Sequence, residues 1–197
     1  MTVYRISARF VPQVLAAGWG AQLLERLGSR PRRLGRWAEL GMYGALECLA
    51  ADAQATLTEH AALLLSSQHG PALAMHSALA QAREGLPMPL SFLQTQPSQL
   101  LAALSAQLRW RGDARFITHP DPLAVLTLAL TMAGRHADGL LAGWVNELPT
   151  ESTVWLRLQP VADPGGAWID VGDFQTLLHR ASHVRIGPSL LEVIIQP

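Results

Sequence analysis

Ala61-Ala62-Leu63-Leu64-Leu65 runs without a polar break into Ser66-Ser67-Gln68-His69-Gly70. A short apolar run with no alternation is the pattern of a strand covered on both faces, and such strands belong to sheets with helices above and below. Leu140-Leu141-Ala142-Gly143-Trp144-Val145 repeats the pattern later in the chain. Two fully buried strands separated by helical periodicity set the frame for everything around them.

Working outward toward the N-terminus, apolar residues over 34–51 recur at spacings of three to five, which predicts a helix lying on a sheet. Residues 3–10 read as a first strand, released by Pro12 and a Gly18-Trp19-Gly20 turn into an arginine-rich segment. Toward the C-terminus, a helix over 72–82 must stop at Gly85-Leu86-Pro87-Met88-Pro89, where two prolines and a glycine preclude continuation. A further helix spans 98–110, with Ser98 as its N-cap and Gly112 as its stop. Arg115-Phe116-Ile117-Thr118 is a strand, and 123–133 is an almost wholly apolar helix that must be buried on most sides. The alternation over 153–158 predicts an exposed-edge or antiparallel strand, Asp163-Pro164-Gly165-Gly166 a turn, 173–183 a helix and 190–195 a closing strand. Strands alternating with helices define a layered α/β class with a mainly parallel sheet flanked by helices, expected as a single domain over residues 1–197.

Composition narrows the function classes. Of 197 residues, 49% are hydrophobic and only 15% charged, against roughly 25% in ordinary soluble proteins, so part of the surface is expected to be covered by a partner. Fifteen basic residues, all arginine, balance fifteen acidic ones, which gives no support for nucleic-acid binding. Arg26, Arg30, Arg32, Arg33 and Arg36 nevertheless fall in one short stretch, either a patch for an acidic partner or a solvated helix start. A lone cysteine, Cys48, fits a reducing compartment. The opening Thr2-Val3-Tyr4-Arg5-Ile6 does not read as a signal peptide, and no apolar run reaches the ~20 residues of a membrane span. A cytoplasmic location is expected.

Candidate chemistry is sparse. Cys48 lies inside the predicted helix over 34–51, where nothing local lowers a thiol pKa. No Gly-x-Ser-x-Gly elbow is present. Ser66 and Ser67 stand beside His69 at a strand-to-loop junction, a suggestive place for chemistry, although residues so close in one loop serve turns and caps more often. His179 and His183, four apart on the predicted helix, would share a face as two metal ligands do, but no third ligand accompanies them and no metal is expected. No phosphate-cradling glycine loop is present, so no cofactor is expected. His119-Pro120-Asp121-Pro122 separates a predicted strand from the buried helix, where many α/β enzymes carry a reacting group; its two prolines suit a rigid connection better than an oxyanion site.

Taken in order, these pieces resemble the N-terminal half of a β-ketoacyl synthase, in particular the short ketosynthase-like domains found beside bacterial polyene and fatty-acid gene sets. Arg32-Arg33-Leu34-Gly35-Arg36-Trp37 is similar to the family's basic helix-opening segment, and Leu64-Leu65-Ser66-Ser67-Gln68-His69-Gly70 to its strand and serine-rich loop. Pro89-Leu90-Ser91-Phe92-Leu93-Gln94-Thr95-Gln96-Pro97 looks like its Pro-x-x-Phe-Ser-x-Ser-x-x-Asn stretch, with Gln96 near the place of the asparagine. The run from Ala137 to Pro149 is similar to the strand that ends in Asp-Glu, with Asn146 in place of the aspartate. The resemblance implies a layered, thiolase-like half. It also places the family's cysteine nucleophile within Thr118-His119-Pro120-Asp121-Pro122, which holds no cysteine, and assigns both catalytic histidines to a C-terminal half expected to lie outside this chain. No catalytic residue carries over, and Ser67, His69 and His119 stand as a vestigial site.

Loss of the nucleophile with retention of the core resembles the chain length factors that pair with an active ketosynthase. Three functions compete. The first is a non-catalytic partner in fatty-acid or polyketide-type biosynthesis, contacting a ketosynthase or acyl carrier protein through Arg26, Arg30, Arg32, Arg33 and Arg36, in a homo- or hetero-oligomer. The second is a small acyl-thioester hydrolase or transferase using His69 or His119 with a serine. The third is a binding module that keeps the acyl site without the chemistry.

Overall fold

The computed structural model describes residues 2–29, 31, 33–52, 56–86, 89–133, 137–188 and 191–195. In chain order the elements are β1 (Val3–Phe10), α1 (Trp19–Leu27), α2 (Arg36–Ala50), β2 (Ala62–Ser67), α3 (Ala72–Arg83), α4 (Pro89–Gln94), α5 (Ser98–Leu108), β3 (Ala114–Thr118), α6 (Pro122–Ala133), β4 (Leu140–Asn146), β5 (Ser152–Val161), β6 (Ile169–Asp170), α7 (Phe174–Arg180), β7 (Ala181–Ile186) and β8 (Leu191–Ile195). The strands form one eight-stranded sheet in the order β3-β2-β4-β5-β1-β7-β8-β6.

Every side chain of β2 is buried, as its unbroken apolar run requires. Leu63 and Leu65 face a core built with α1, α2 and α5, whereas Ala62 and Leu64 face a second core with α6 and α7. The sheet is therefore the middle of three layers. Helix α2 lies very close to it because it carries glycine where the sheet carries tryptophan. A Cβ on Gly44 would come within 2.6 Å of the Trp155 ring, and one on Gly143 within 2.5 Å of the same ring. Trp155 fills the space that both glycines leave.

Several expectations are corrected. The sheet is not mainly parallel: β2 pairs in parallel with β3 and β4, while the other five pairings are antiparallel. Parallel neighbours need a long crossover, and helices supply one on each side of β2; the short connections from β4 to β5 and from β7 to β8 reverse the chain directly. The strand over 153–158 is antiparallel but lies in the middle of the sheet, between β4 and β1. Its alternation comes from buried polar groups, since Thr153 and Arg157 are both inside, and the Arg157 Nε sits 3.7 Å from the Asp52 carboxylate while its Nη2 donates to the Asp138 carbonyl at 2.8 Å.

Gly18-Trp19-Gly20 opens helix α1 instead of making only a turn. Gly18 takes φ 86° at its start and Gly28 φ 70° at its end, so glycines bracket a short helix that buries Trp19 and Leu23. The helix expected over 173–183 ends at Arg180, and the chain continues as β7. His179 and His183 thus lie on a helix and a strand and share no helix face. Ser98 is not an N-cap, because Pro97 holds that position without a side-chain bond, whereas Asp173 caps α7 by accepting the Thr176 N–H at 2.8 Å. The strand β6, the helix α4 and the strand β7 had no sequence signal that separated them from loop or helix.

Among the described residues, no helix is long and apolar enough to cross a membrane, and no cluster of three or more histidine, cysteine, aspartate or glutamate side chains is placed to hold a metal ion.

Candidate functional site

Strands β2, β3 and β4 run in the same direction, and β1 runs with them because two antiparallel pairings through β5 restore its sense. Their carboxyl ends therefore meet at one end of the sheet, where open α/β sheets bind ligands. Each of the four ends carries a loop that the sequence marks as unusual: the Ser66 to Gly70 loop, the His119 to Pro122 turn, the Asn146-Glu147 step and the Val11-Pro12-Gln13 exit from β1.

The serine-rich loop is pinned by Asn146. The Asn146 Oδ1 accepts the Gln68 N–H at 2.8 Å and the Ser67 hydroxyl at 3.2 Å. The Ser67 hydroxyl in turn accepts the Gly70 N–H at 2.8 Å, and Ser66 donates to the Gly143 carbonyl at 3.1 Å. Ser67 is fully buried while His69 is exposed, so this hydroxyl serves the loop's geometry and is not presented to solvent. His119 continues the β2 and β3 pairing by donating its backbone N–H to the Ser67 carbonyl at 3.1 Å. Its Nδ1 accepts the Asp121 N–H at 3.0 Å, and Asp121 then accepts the Leu123 N–H at 2.9 Å to open α6. The turn is a rigid helix entrance with an exposed imidazole.

Glu147 follows Asn146 and is buried. Its Oε2 accepts the Leu73 N–H at 3.1 Å, in the first turn of α3, where a carboxylate meets unpaired donors. Burial pushes its carboxyl up from the ordinary range, partly offset by that bond. On the other side, Arg36 grips Glu151 with two bonds of 2.6 and 2.9 Å and stacks over the Trp19 ring at 4.3 Å. This holds the Glu151 carboxyl below its usual range.

Between these loops runs a groove. One part, of about 440 Å³, is lined by Gln68, His119, Trp144, Asn146, Phe174 and His179 among others. A second, of about 530 Å³, reaches Val14, Trp19, Arg36 and Glu151. Both include Pro12, Gln13, Ser152 and Val154, so the two parts adjoin at the sheet end. Its floor is aromatic, with Trp144 and Phe174 packed at 4.8 Å, and its rim is amide and imidazole. It offers aromatic walls beside amide and imidazole groups in its first part and the Arg36–Glu151 ion pair in its second.

The candidate residues are distributed unevenly over this site. Ser67 and His119 meet at the end of β2, and His69 stands on the exposed loop next to them. Arg36 reaches the groove, but Arg26 lies on α1 and pairs with Glu47 at 3.0 Å. Arg33 is exposed with φ 73°, and Arg30 and Arg32 lie outside the described residues. Arg26 and Arg36 are thus each engaged with an acid of the same chain. Cys48 is buried in α2, with its thiol pushed up to about 12 chiefly by that burial. The contributions of Asn146 as anchor, of Glu147 as the partner of α3, and of Trp19, Phe174 and His179 as groove walls went unread, because each depends on contacts between distant segments.

No protein-family model matches the sequence, and no curated protein matches it. In three dimensions the chain has the layered fold of ketosynthases and their chain length factors, a ketosynthase-like fold. One similar solved chain comes from the ketosynthase (ApeO) in complex with its chain length factor (ApeC) from Xenorhabdus doucetiae, with TM-score 0.56 and 16% identity, covering 88% of this chain and 85% of that one. Another comes from the ishigamide ketosynthase/chain length factor, with TM-score 0.57 and 11% identity, covering 81% of this chain and 59% of that one.

Proposed function

We propose that this protein is a non-catalytic, ketosynthase-like partner subunit in polyketide or fatty-acid type biosynthesis, and that it acts by pairing with an active ketosynthase. The observation that carries the reading is the junction of β3 and α6. There the resemblance puts a cysteine nucleophile, and this chain has the rigid turn His119-Pro120-Asp121-Pro122 instead, while its one cysteine is buried elsewhere with a thiol too basic to ionise near neutral pH. A condensing enzyme needs a thiolate to carry the acyl chain. The groove at the sheet end supports a role in shaping space for a chain and not in activating one. Docking of an acidic acyl carrier protein belongs to the same proposal, with Arg26, Arg33 and Arg36 the exposed described members of the arginine segment.

The test is a condensation assay with acyl- and malonyl-carrier thioesters. The purified chain alone yields no condensed or hydrolysed product. Turnover by the chain alone that disappears in His119→Ala or His69→Ala would replace this reading with the hydrolase or transferase alternative.

A further inference from the structure

Trp144 and Asn146 are two apart on β4 and so share one of its faces, and both line the first part of the groove. Strand β5 sets Val154 opposite Trp144 and Ser152 opposite Asn146, and these line it too. His119 closes it from the end of β3. Among the described residues that line this part, none is an aspartate, a glutamate or an arginine.

The polar groups that Trp144, Asn146 and His119 can offer are donors. Trp144 is 6% exposed, and its Nε1–H is shut off from solvent with no hydrogen-bond partner among the described residues. A buried indole N–H ordinarily has a partner, so a donor left this way marks a place where an acceptor belongs. Asn146 commits its Oδ1 to the Ser67 hydroxyl and the Gln68 N–H, which leaves the two N–H groups of its amide to face a ligand. In His119 the Nδ1 accepts the Asp121 N–H at 3.0 Å, so the neutral ring carries its proton on Nε2, again a donor.

We infer that this part of the groove binds an uncharged carbonyl compound, an amide, ester or ketone on a ring-sized apolar body, whose oxygen accepts from Trp144 and the donors beside it. The volume of about 440 Å³ admits one such molecule. Trp144 and Phe174, 4.8 Å apart and inclined at 60°, supply ring surface for its apolar part. Phe174 is only half-buried, and it is the neighbour with room to give way as the ligand oxygen approaches the indole N–H. A carboxylate would lose hydration here with no arginine in the lining to offset the loss, and an ammonium would find no carboxylate. Every residue of the site belongs to this chain, so the inference stands apart from the pairing with a ketosynthase.

The test titrates the isotope-labelled full chain with benzamide and follows the Trp144 indole N–H by heteronuclear NMR, the signal being identified by its loss in Trp144→Phe. Benzamide is expected to move that signal downfield and to saturate it at about 10 mM or less, an affinity within reach of a ligand of its size. Benzene, benzoate and benzylamine share the ring without the neutral carbonyl, and each is expected to bind about tenfold more weakly. Trp144→Phe keeps an aromatic ring without the donor, and His119→Ala removes a donor from an exposed position that the core does not need. Each variant is expected to weaken benzamide about tenfold, read on the Gln68 N–H for Trp144→Phe and on the indole N–H for His119→Ala, with circular dichroism confirming the fold. A Trp144 signal that benzamide leaves in place at that concentration overturns the site. Undiminished binding by either folded variant overturns the donor set. Equal or tighter binding by benzene, benzoate or benzylamine overturns the carbonyl class, in favour of an apolar cleft, an anion site or a cation site respectively.

Discussion

Asn146 shows how much of the groove depends on one side chain. Its Oδ1 takes two donors where β2 gives way to its loop, the Ser67 hydroxyl and the Gln68 N–H. Two such bonds, each contributing about 0.5–1.5 kcal/mol net, contribute about 1–3 kcal/mol together. We predict that Asn146→Ala loses stability in that range in urea denaturation, whereas Asn146→Asp, which keeps an acceptor at the same place, stays close to wild type at neutral pH. An alanine variant as stable as wild type would show that Asn146 is not the anchor of the loop. The sequence comparison with an Asp-Glu strand end marked the position, but not this purpose, since a bond between residues 68 and 146 has no local signal.

At the scale of elements, Glu147 links β4 to α3 and so controls how that helix is attached. Its carboxyl is raised by burial, with the Leu73 N–H opposing that shift and the nearby charges Glu151 and Arg36 acting in opposite directions. A carboxyl whose folded pKa lies above its unfolded value, about 4.3 for glutamate, binds its proton more tightly in the folded state. Its contribution to stability is complete below the unfolded value and is lost as pH rises through the folded one. We predict that the stability of wild type relative to Glu147→Gln is greatest near pH 4 and declines toward pH 8, as measured by denaturation across that range; a difference independent of pH contradicts the assignment. Glu151 works in the other sense, since Arg36 lowers its carboxyl and its contribution fades as pH falls. Elements with strong local patterns, such as β2, β4, α2 and α6, were legible in the sequence because burial on every side leaves an unbroken apolar run or a dense helical repeat. The limits of α7 were not, because the helix and β7 share apolar residues at spacings that suit both. The sense of the sheet was not legible either, since the length of a connection indicates which strands can be parallel neighbours only once the strand order is known.

For the whole molecule, the ketosynthase-like fold is present, with the proline-fixed turn His119-Pro120-Asp121-Pro122 joining β3 to α6. The sequence predicted the layered class, because it is written in local residues. The arginine segment reads as a patch for an acidic partner or as a solvated helix start, and Arg26 and Arg36 are each drawn into an ion pair with α2 or with the start of β5. The low content of charge was read as a sign of a covered surface, and most of the exposed large apolar side chains among the described residues lie on α3, on α4 and between them. These features together make pairing the central claim. Isolation of the tagged protein from its native host, with mass spectrometry of the complex at known stoichiometry, tests it most directly. The account predicts an equimolar ketosynthase; a homo-oligomer of this chain, recovered with no ketosynthase, would contradict it.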